Sequence, residues 1–177
     1  MLAKLVLLAL FAAYSASGRF MDVDIQPYLD EEIKEFHFHV YFFQDNQNST
    51  NSAVNFRQKI ESLIQAGFFH PVPLAHGVNH QPRGPHTIGS YEVWCPKEHF
   101  SRAFSFFLLH RGPHSVLVHP LTKEEVEDHS NRAVWMGEPV PLDLSRLTPH
   151  LDHVPLQYPE LGMGYSAPTD RTANRIN

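Results

Sequence analysis

The run Phe36-His37-Phe38-His39-Val40-Tyr41-Phe42-Phe43 constrains the fold more than any other stretch of this chain. Side chains along a strand alternate between faces, so Phe36, Phe38, Val40 and Phe42 fall on one side and His37, His39, Tyr41 and Phe43 on the other. The first set makes a core surface. The second places two imidazoles in an otherwise apolar segment, and a buried imidazole needs a hydrogen-bond partner, an ionised neighbour or a metal. The segment therefore predicts a sheet with one face against a hydrophobic layer and the other carrying chemistry.

The pattern around it predicts one domain, which 177 residues can fill with a real core. Val54, Ile60, Leu63 and Ile64 recur at helical spacing, predicting a helix over 53–66 with Gly67 as its stop. Phe68 to Val72 reads as a short second strand, placed at an edge by Pro71. Ile88 to Cys95 is a third strand, Lys97 to His110 an amphipathic helix and Ser115 to His119 a fourth strand. A further helix is expected within Lys123 to Met136, followed by an irregular Pro-rich tail over 148–177. The order β-α-β-β-α-β with an extra C-terminal helix is a ferredoxin-like α+β arrangement, in which two helices cover one face of an antiparallel sheet. The His37/His39 face is then free to line a cavity or a dimer interface.

Residues 1–18 read as a secretory signal peptide. Lys4 gives a positive start, Leu5 to Ala13 is apolar, and Ser15-Ala16-Ser17-Gly18 offers small residues for cleavage. The apolar run is about half of the roughly 20 residues that span a bilayer, so no membrane attachment is expected after its removal. An acidic arm over 19–32 follows, and the main domain occupies 33–147. The sequon Asn48-Ser49-Thr50 lies in a polar stretch expected to be a surface loop, which makes a secreted glycoprotein the expectation. A formal charge of −5 with no basic block argues against nucleic acid as a partner. Cys95 is the single cysteine, so no internal disulfide can form. The 13 histidines against 14 Lys plus Arg raise the prospect of a metal.

Three further residues stand where chemistry is expected. His119 ends its strand, His86 follows Gly84-Pro85 just before another, and Glu92 shares a strand face with Ser90 and Trp94. If the sheet has split βαβ order, the strands of His39 and His119 come close, and His86 or Glu92 completes a set. Imidazoles with a carboxylate suit Fe(II) or Zn(II), and a facial set leaves positions open. No compact motif such as His-Glu-x-x-His is present. By residues alone, hydrogen-bonded sheet histidines explain the pattern as well as a metal site does.

Four segments in order carry a resemblance. They are Phe38-His39-Val40-Tyr41-Phe42, then Gly84-Pro85-His86-Thr87-Ile88-Gly89-Ser90-Tyr91-Glu92-Val93, then Arg111 to Thr122, and Asp128-His129-Ser130-Asn131-Arg132-Ala133-Val134-Trp135-Met136-Gly137 with Leu142-Asp143 after it. Together they resemble the DOPA 4,5-dioxygenase family of the fungal pigment type over about residues 33–147. The resemblance implies a ferredoxin-like homodimer that opens a catechol such as DOPA with O2 by extradiol cleavage at a mononuclear non-haem centre. It implies His39, His86 and His119 as ligands of Fe(II), with Zn(II) the other candidate ion. It also implies Glu92 as a ligand or supporting carboxylate and His129 as a residue that orients a ligand or carries a proton, leaving His37 the more expendable neighbour of His39. The competing expectation is a secreted, non-catalytic protein that keeps the fold to bind a metal or a small aromatic molecule.

Overall fold

A computed structural model of the chain describes residues 24–73 and 77–168. The expected signal peptide and His76 lie outside these residues. The chain divides into two units, 1–32 and 33–177. In the first, the described residues form one short helix, α1 (Gln26–Asp30), with Pro27 in its first turn, a position where a missing N–H costs nothing. No described helix is long and apolar enough to cross a membrane.

The second unit is built around β1 (Glu35–Phe42). It runs into α2 (Gln47–Gln65), the edge strand β2 (Val72–Pro73), β3 (Gly89–Pro96), α3 (Lys97–His110), β4 (Val116–Pro120), the single-turn helix α4 (Glu125–Asp128) and β5 (Val134–Met136). The sheet order is β2-β3-β1-β4-β5 and every pairing is antiparallel. The first four strands have the split βαβ order expected from the sequence, with β1 at the centre. Phe38, Val40 and Phe42 are buried against Phe56 and Ile60 of α2 and Phe107 of α3, and the Phe38 and Phe107 rings stack at 4.7 Å. The face predicted for the core is the core face.

Several boundaries differ from expectation, each for a local reason. Helix α2 starts at Gln47 rather than near Ala53, because the Asn46 side chain caps it by accepting from Ser49 N at 3.1 Å. The sequon therefore occupies the first helical turn instead of a loop; Asn48 is exposed and Thr50 is buried. The second strand shrinks to Val72–Pro73, while Phe69 turns into the core. The extra helix after the fourth strand is present as one turn only, and its expected continuation to Met136 is instead β5, paired Leu117↔Trp135 and Val118↔Val134. Val134 and Trp135 favour a strand once a free sheet edge lies beside them.

Beyond Leu147 the chain folds back to the sheet. Tyr165 N and the Trp94 indole N–H both donate to the buried Glu35 carboxylate, at 3.0 and 2.8 Å. The Tyr165 hydroxyl donates to Leu121 O, and Gln157 reaches His37.

Gly89 is required where β3 begins opposite Phe42. A Cβ there would stand 2.7 Å from two carbons of the Phe42 ring, so Gly89→Ala is expected to cost about 1–3 kcal/mol through overpacking. The measurement is a urea titration, with a lowered midpoint at unchanged slope. An unchanged midpoint would show that the Phe42 ring moves aside freely.

Candidate functional site

Strand register builds the site. On the sheet face away from the helices, His39 stands opposite Glu92 of β3, and His37 opposite both Trp94 of β3 and His119 of β4. Directly opposed and diagonal side chains on one face come within contact distance. His39 Nε2 and His119 Nε2 accordingly face each other at 3.0 Å, with their rings nearly parallel.

His86 arrives from the loop between β2 and β3. Arg83 and His86 exchange both backbone hydrogen bonds at 3.0 Å around Gly84-Pro85, and Gly84 has φ +56°, which favours glycine at the first corner of so tight a turn. A second backbone bridge ties His86 to Leu142, and Asp143 N donates to Pro85 O. The result seats the His86 ring 4.2 Å from the His39 ring, measured between centroids.

His129 caps the end of α4. The loop is held by Asp128, which accepts from Thr122 N at 2.8 Å and pairs with Arg132. The His129 ring lies 3.9 Å from that of His119 and 6.1 Å from those of His39 and His86.

The nitrogens form two groupings with ligand-like spacing, His37-His39-His119 and His39-His86-His129. His39 belongs to both. The three histidines singled out in the sequence thus fall in one cluster but are divided between its groupings, and His37, ranked as expendable, joins it. Strand alternation already placed His37 on this face. Glu92 lies beneath, with Oε1 3.2 Å from His37 Nε2 and Oε2 3.8 Å from His39 Nε2. Oε1 is buried without a hydrogen-bond partner despite that short approach, since His37 Nε2 is engaged by Gln157 Oε1 at 2.8 Å.

The surroundings fix the tautomers. His119 Nδ1 lies 2.7 Å from Pro120 O and His129 Nδ1 lies 2.9 Å from Glu125 O. A carbonyl only accepts, so both Nδ1 atoms carry the proton and both Nε2 atoms keep a lone pair. The Gln157 oxygen likewise claims a proton on His37 Nε2. His86 Nδ1 meets the Tyr41 hydroxyl at 2.7 Å, and burial holds that phenol above its usual pKa.

Burial also sets the charge. Desolvation lowers His37 to about 3 and His86 to about 4 and holds His39 and His119 well below 6.5, with the neighbouring imidazoles adding repulsion. His129 is lowered by desolvation against the pull of Glu125 O. Glu92 is pushed up to about 8 by desolvation, opposed by Arg83. Near neutral pH the cluster is a set of uncharged nitrogen donors beside a protonated acid.

This donor set fits a metal ion. The His39 and His119 Nε2 atoms, 3.0 Å apart across a hydrogen bond whose proton an ion would displace, match the edge between adjacent ligands at bonds of about 2.1 Å. Carbonyl-tethered imidazoles are the usual support of metal-binding histidines. The nitrogens face a cavity of about 260 Å³ walled by Leu121, Leu147, Leu151 and Pro155, and a second of about 180 Å³ adjoins it past His86 and Glu92.

Other histidines have structural employment or none. His114 is buried and bridges Tyr41 O at 3.1 Å to the Ser52 hydroxyl at 2.9 Å. His150 and His153 are exposed. Cys95 is buried, and desolvation pushes its thiol up to about 12, which leaves it inert.

Residues 36–146 match the Dopa 4,5-dioxygenase family. The chain belongs to that family. The span takes in His37, His39, His86, Glu92, His119 and His129, so every titratable residue of the cluster lies within the part common to Dopa 4,5-dioxygenase family members. Among curated relatives, DOPA 4,5-dioxygenase of Amanita muscaria is 45% identical over 157 residues, covering 89% of this chain and 68% of the relative. An uncharacterised 21.2 kDa protein of Botryotinia fuckeliana is 35% identical over 127 residues, covering 66% of each. The chain thus spans about two thirds of the length of these relatives. A crystal structure of a candidate dioxygenase from Nostoc punctiforme superposes with a TM-score of 0.55 at 30% identity, over 64% of this chain and 90% of that one.

Proposed function

We propose that this protein is an extradiol dioxygenase that opens a catechol such as DOPA beside its diol, using O2 at a mononuclear non-haem metal centre. The observation that carries the reading is the buried cluster of neutral histidines at a cavity, two of them tethered to backbone carbonyls, in a chain of this family. His39, His86 and His119 are the proposed ligands: His39 is common to both groupings, and each of the others offers a nitrogen oriented by a neighbouring group. His37 is set aside because Gln157 holds the proton on its Nε2.

When bound, Fe(II) would acidify the catechol hydroxyls and couple the ring to O2, whereas Zn(II) could occupy the same nitrogens without supporting redox chemistry. The protein's own residues do the rest. His129, neutral and with Nε2 free, accepts a hydroxyl proton from the catechol and returns it later in the cycle. Protonated Glu92 is placed to donate toward the same region and loses its proton more readily once a cation is near. Leu121, Leu147, Leu151 and Pro155 present apolar surface to the ring and limit water.

The test is anaerobic loading with Fe(II), followed by metal analysis and O2 uptake with a panel of catechols. About one iron per chain and a DOPA product heavier by both atoms of one O2 are expected. Firmly held zinc with no oxygen consumption by the iron-loaded protein would favour the non-catalytic binding reading instead. Secretion through residues 1–18 and modification at exposed Asn48 are proposed on the sequence motifs, and N-terminal sequencing with glycosidase treatment of the native protein checks both.

A further inference from the structure

Two cavities reach the histidine cluster and share His39, Pro85, His86 and Glu92. Their electrostatic characters differ. The larger is lined by Glu125 and Asp128 besides Glu92 and, among the described residues, by no Lys or Arg. Two of these acids are occupied, Asp128 by Thr122 and Arg132 and Glu125 by Thr148 N at 2.7 Å. Among the described residues this cavity offers a carboxylate no side-chain cation.

The smaller cavity contains Arg83, among the described residues the only Lys or Arg lining either one. The reciprocal backbone bonds across Gly84-Pro85 fix Arg83 to His86, so the cation is tied to a proposed ligand by one rigid turn. Its neighbour Asn79 is likewise pinned to β3 by reciprocal bonds with Ser90, at 2.8 and 3.1 Å. The guanidinium makes only a long contact with Asn79 Oδ1 at 3.5 Å, and among the described residues no carboxylate lies within ion-pairing distance of it. Arg111, the other arginine beside a Gly-Pro turn, is spent on His114 O at 2.7 Å and lines a separate cavity.

We infer that Arg83 seats the carboxylate of the substrate's side chain, so that the enzyme selects catechols carrying an anionic arm over plain or cationic ones. The inference rests on the ring-cleavage reading and names its substrate class. A guanidinium grips a carboxylate through two parallel N–H donors, which fixes orientation as well as charge. With the carboxylate at Arg83 and the ring in the apolar cavity, the diol is directed at His39 and His119. Arg83 is thereby a specificity residue that touches substrate remote from the reacting carbons.

The experiment compares the iron-loaded full-length protein with R83Q and R83K on DOPA, 3-(3,4-dihydroxyphenyl)propionate, dopamine and 4-methylcatechol. In R83Q the preference for the two carboxylates over 4-methylcatechol, read as a ratio of kcat/KM, is expected to fall about ten- to a hundredfold. The loss appears mainly in KM, and R83K recovers part of it. Equilibrium dialysis of the propionate against anaerobic protein gives a second readout, in which R83Q loses affinity by a similar factor. An unaltered preference and affinity in R83Q would overturn the inference, as would an equal loss on all four substrates, which would make Arg83 a support of the turn. Absence of O2 uptake by the wild type with every catechol would instead defeat the ring-cleavage reading, and the dialysis result would still decide whether Arg83 binds the anion.

Discussion

Replacing His39 by alanine is expected to abolish both metal uptake and ring cleavage while leaving the sheet folded. His39 is the one residue common to the two nitrogen groupings, and its Nε2 stands 3.0 Å from that of His119. Removing it breaks both groupings and the close nitrogen pair. Metal affinity should fall by about a hundredfold or more, beyond the effect of losing a supporting contact alone. The strand itself survives, because β1 is held by backbone pairing to β3 and β4 and by Phe38, Val40 and Phe42 on its other face. Metal analysis after dialysis, with circular dichroism as the folding control, measures the outcome. His37→Ala is the contrasting variant and should keep its metal, since Gln157 occupies the Nε2 of that ring. Iron retained at wild-type stoichiometry in His39→Ala would place the centre elsewhere. Loss in His37→Ala as complete as in His39→Ala would assign His37 to the ligand set.

The contrast between these two histidines shows what was legible in the sequence. Alternation along residues 36–43 placed both imidazoles on one face, and the β-α-β-β-α-β order put β1 between the strands of Glu92 and His119. Those facts are periodic and topological, and the order of residues carries them. Apolar spacing that runs unbroken from Phe100 to Leu108 marks helix α3 over Lys97–His110. What separates His37 from His39 is Gln157, some 120 positions away in a stretch with no periodicity. The tail's contacts with Glu35 and Leu121 were hidden for the same reason: single hydrogen bonds leave no repeating signal. Helix α2 began early because Asn46 is a cap by local geometry, whereas the polar run after it resembles a loop. β5 was missed because a three-residue strand is defined by the edge it joins rather than by its own pattern.

Acidification is expected to unfold the metal-free protein over a window that begins near pH 6.5. In the folded state His37 titrates at about 3 and His86 at about 4, and His39 and His119 also lie well below the ordinary 6.5, chiefly through desolvation. The unfolded chain takes up these protons near 6.5 while the folded chain does not, so the stability they allow is complete above that pH and is lost as pH falls. Each such histidine removes about 1.4 kcal/mol per pH unit. Glu92 works in the opposite direction: raised to about 8, it stays protonated in the folded state where the unfolded carboxyl, at 4.5, is ionised, and so it returns about 1.4 kcal/mol per unit as pH falls between those values. Four groups against one leave a net loss of about 4 kcal/mol per unit. Buried His129 and His114 add to the loss and Glu35 offsets part of it. A domain with a total stability of about 5–15 kcal/mol should therefore unfold within about one to four units below pH 6.5. Urea midpoints at pH 7, 6 and 5 measure the slope, and a flat series would show that water or rearrangement lets the cluster accept protons without unfolding. An ion that occupies the same lone pairs competes with protons only in the folded state, so metal-loaded protein should hold its midpoint to lower pH than the metal-free form.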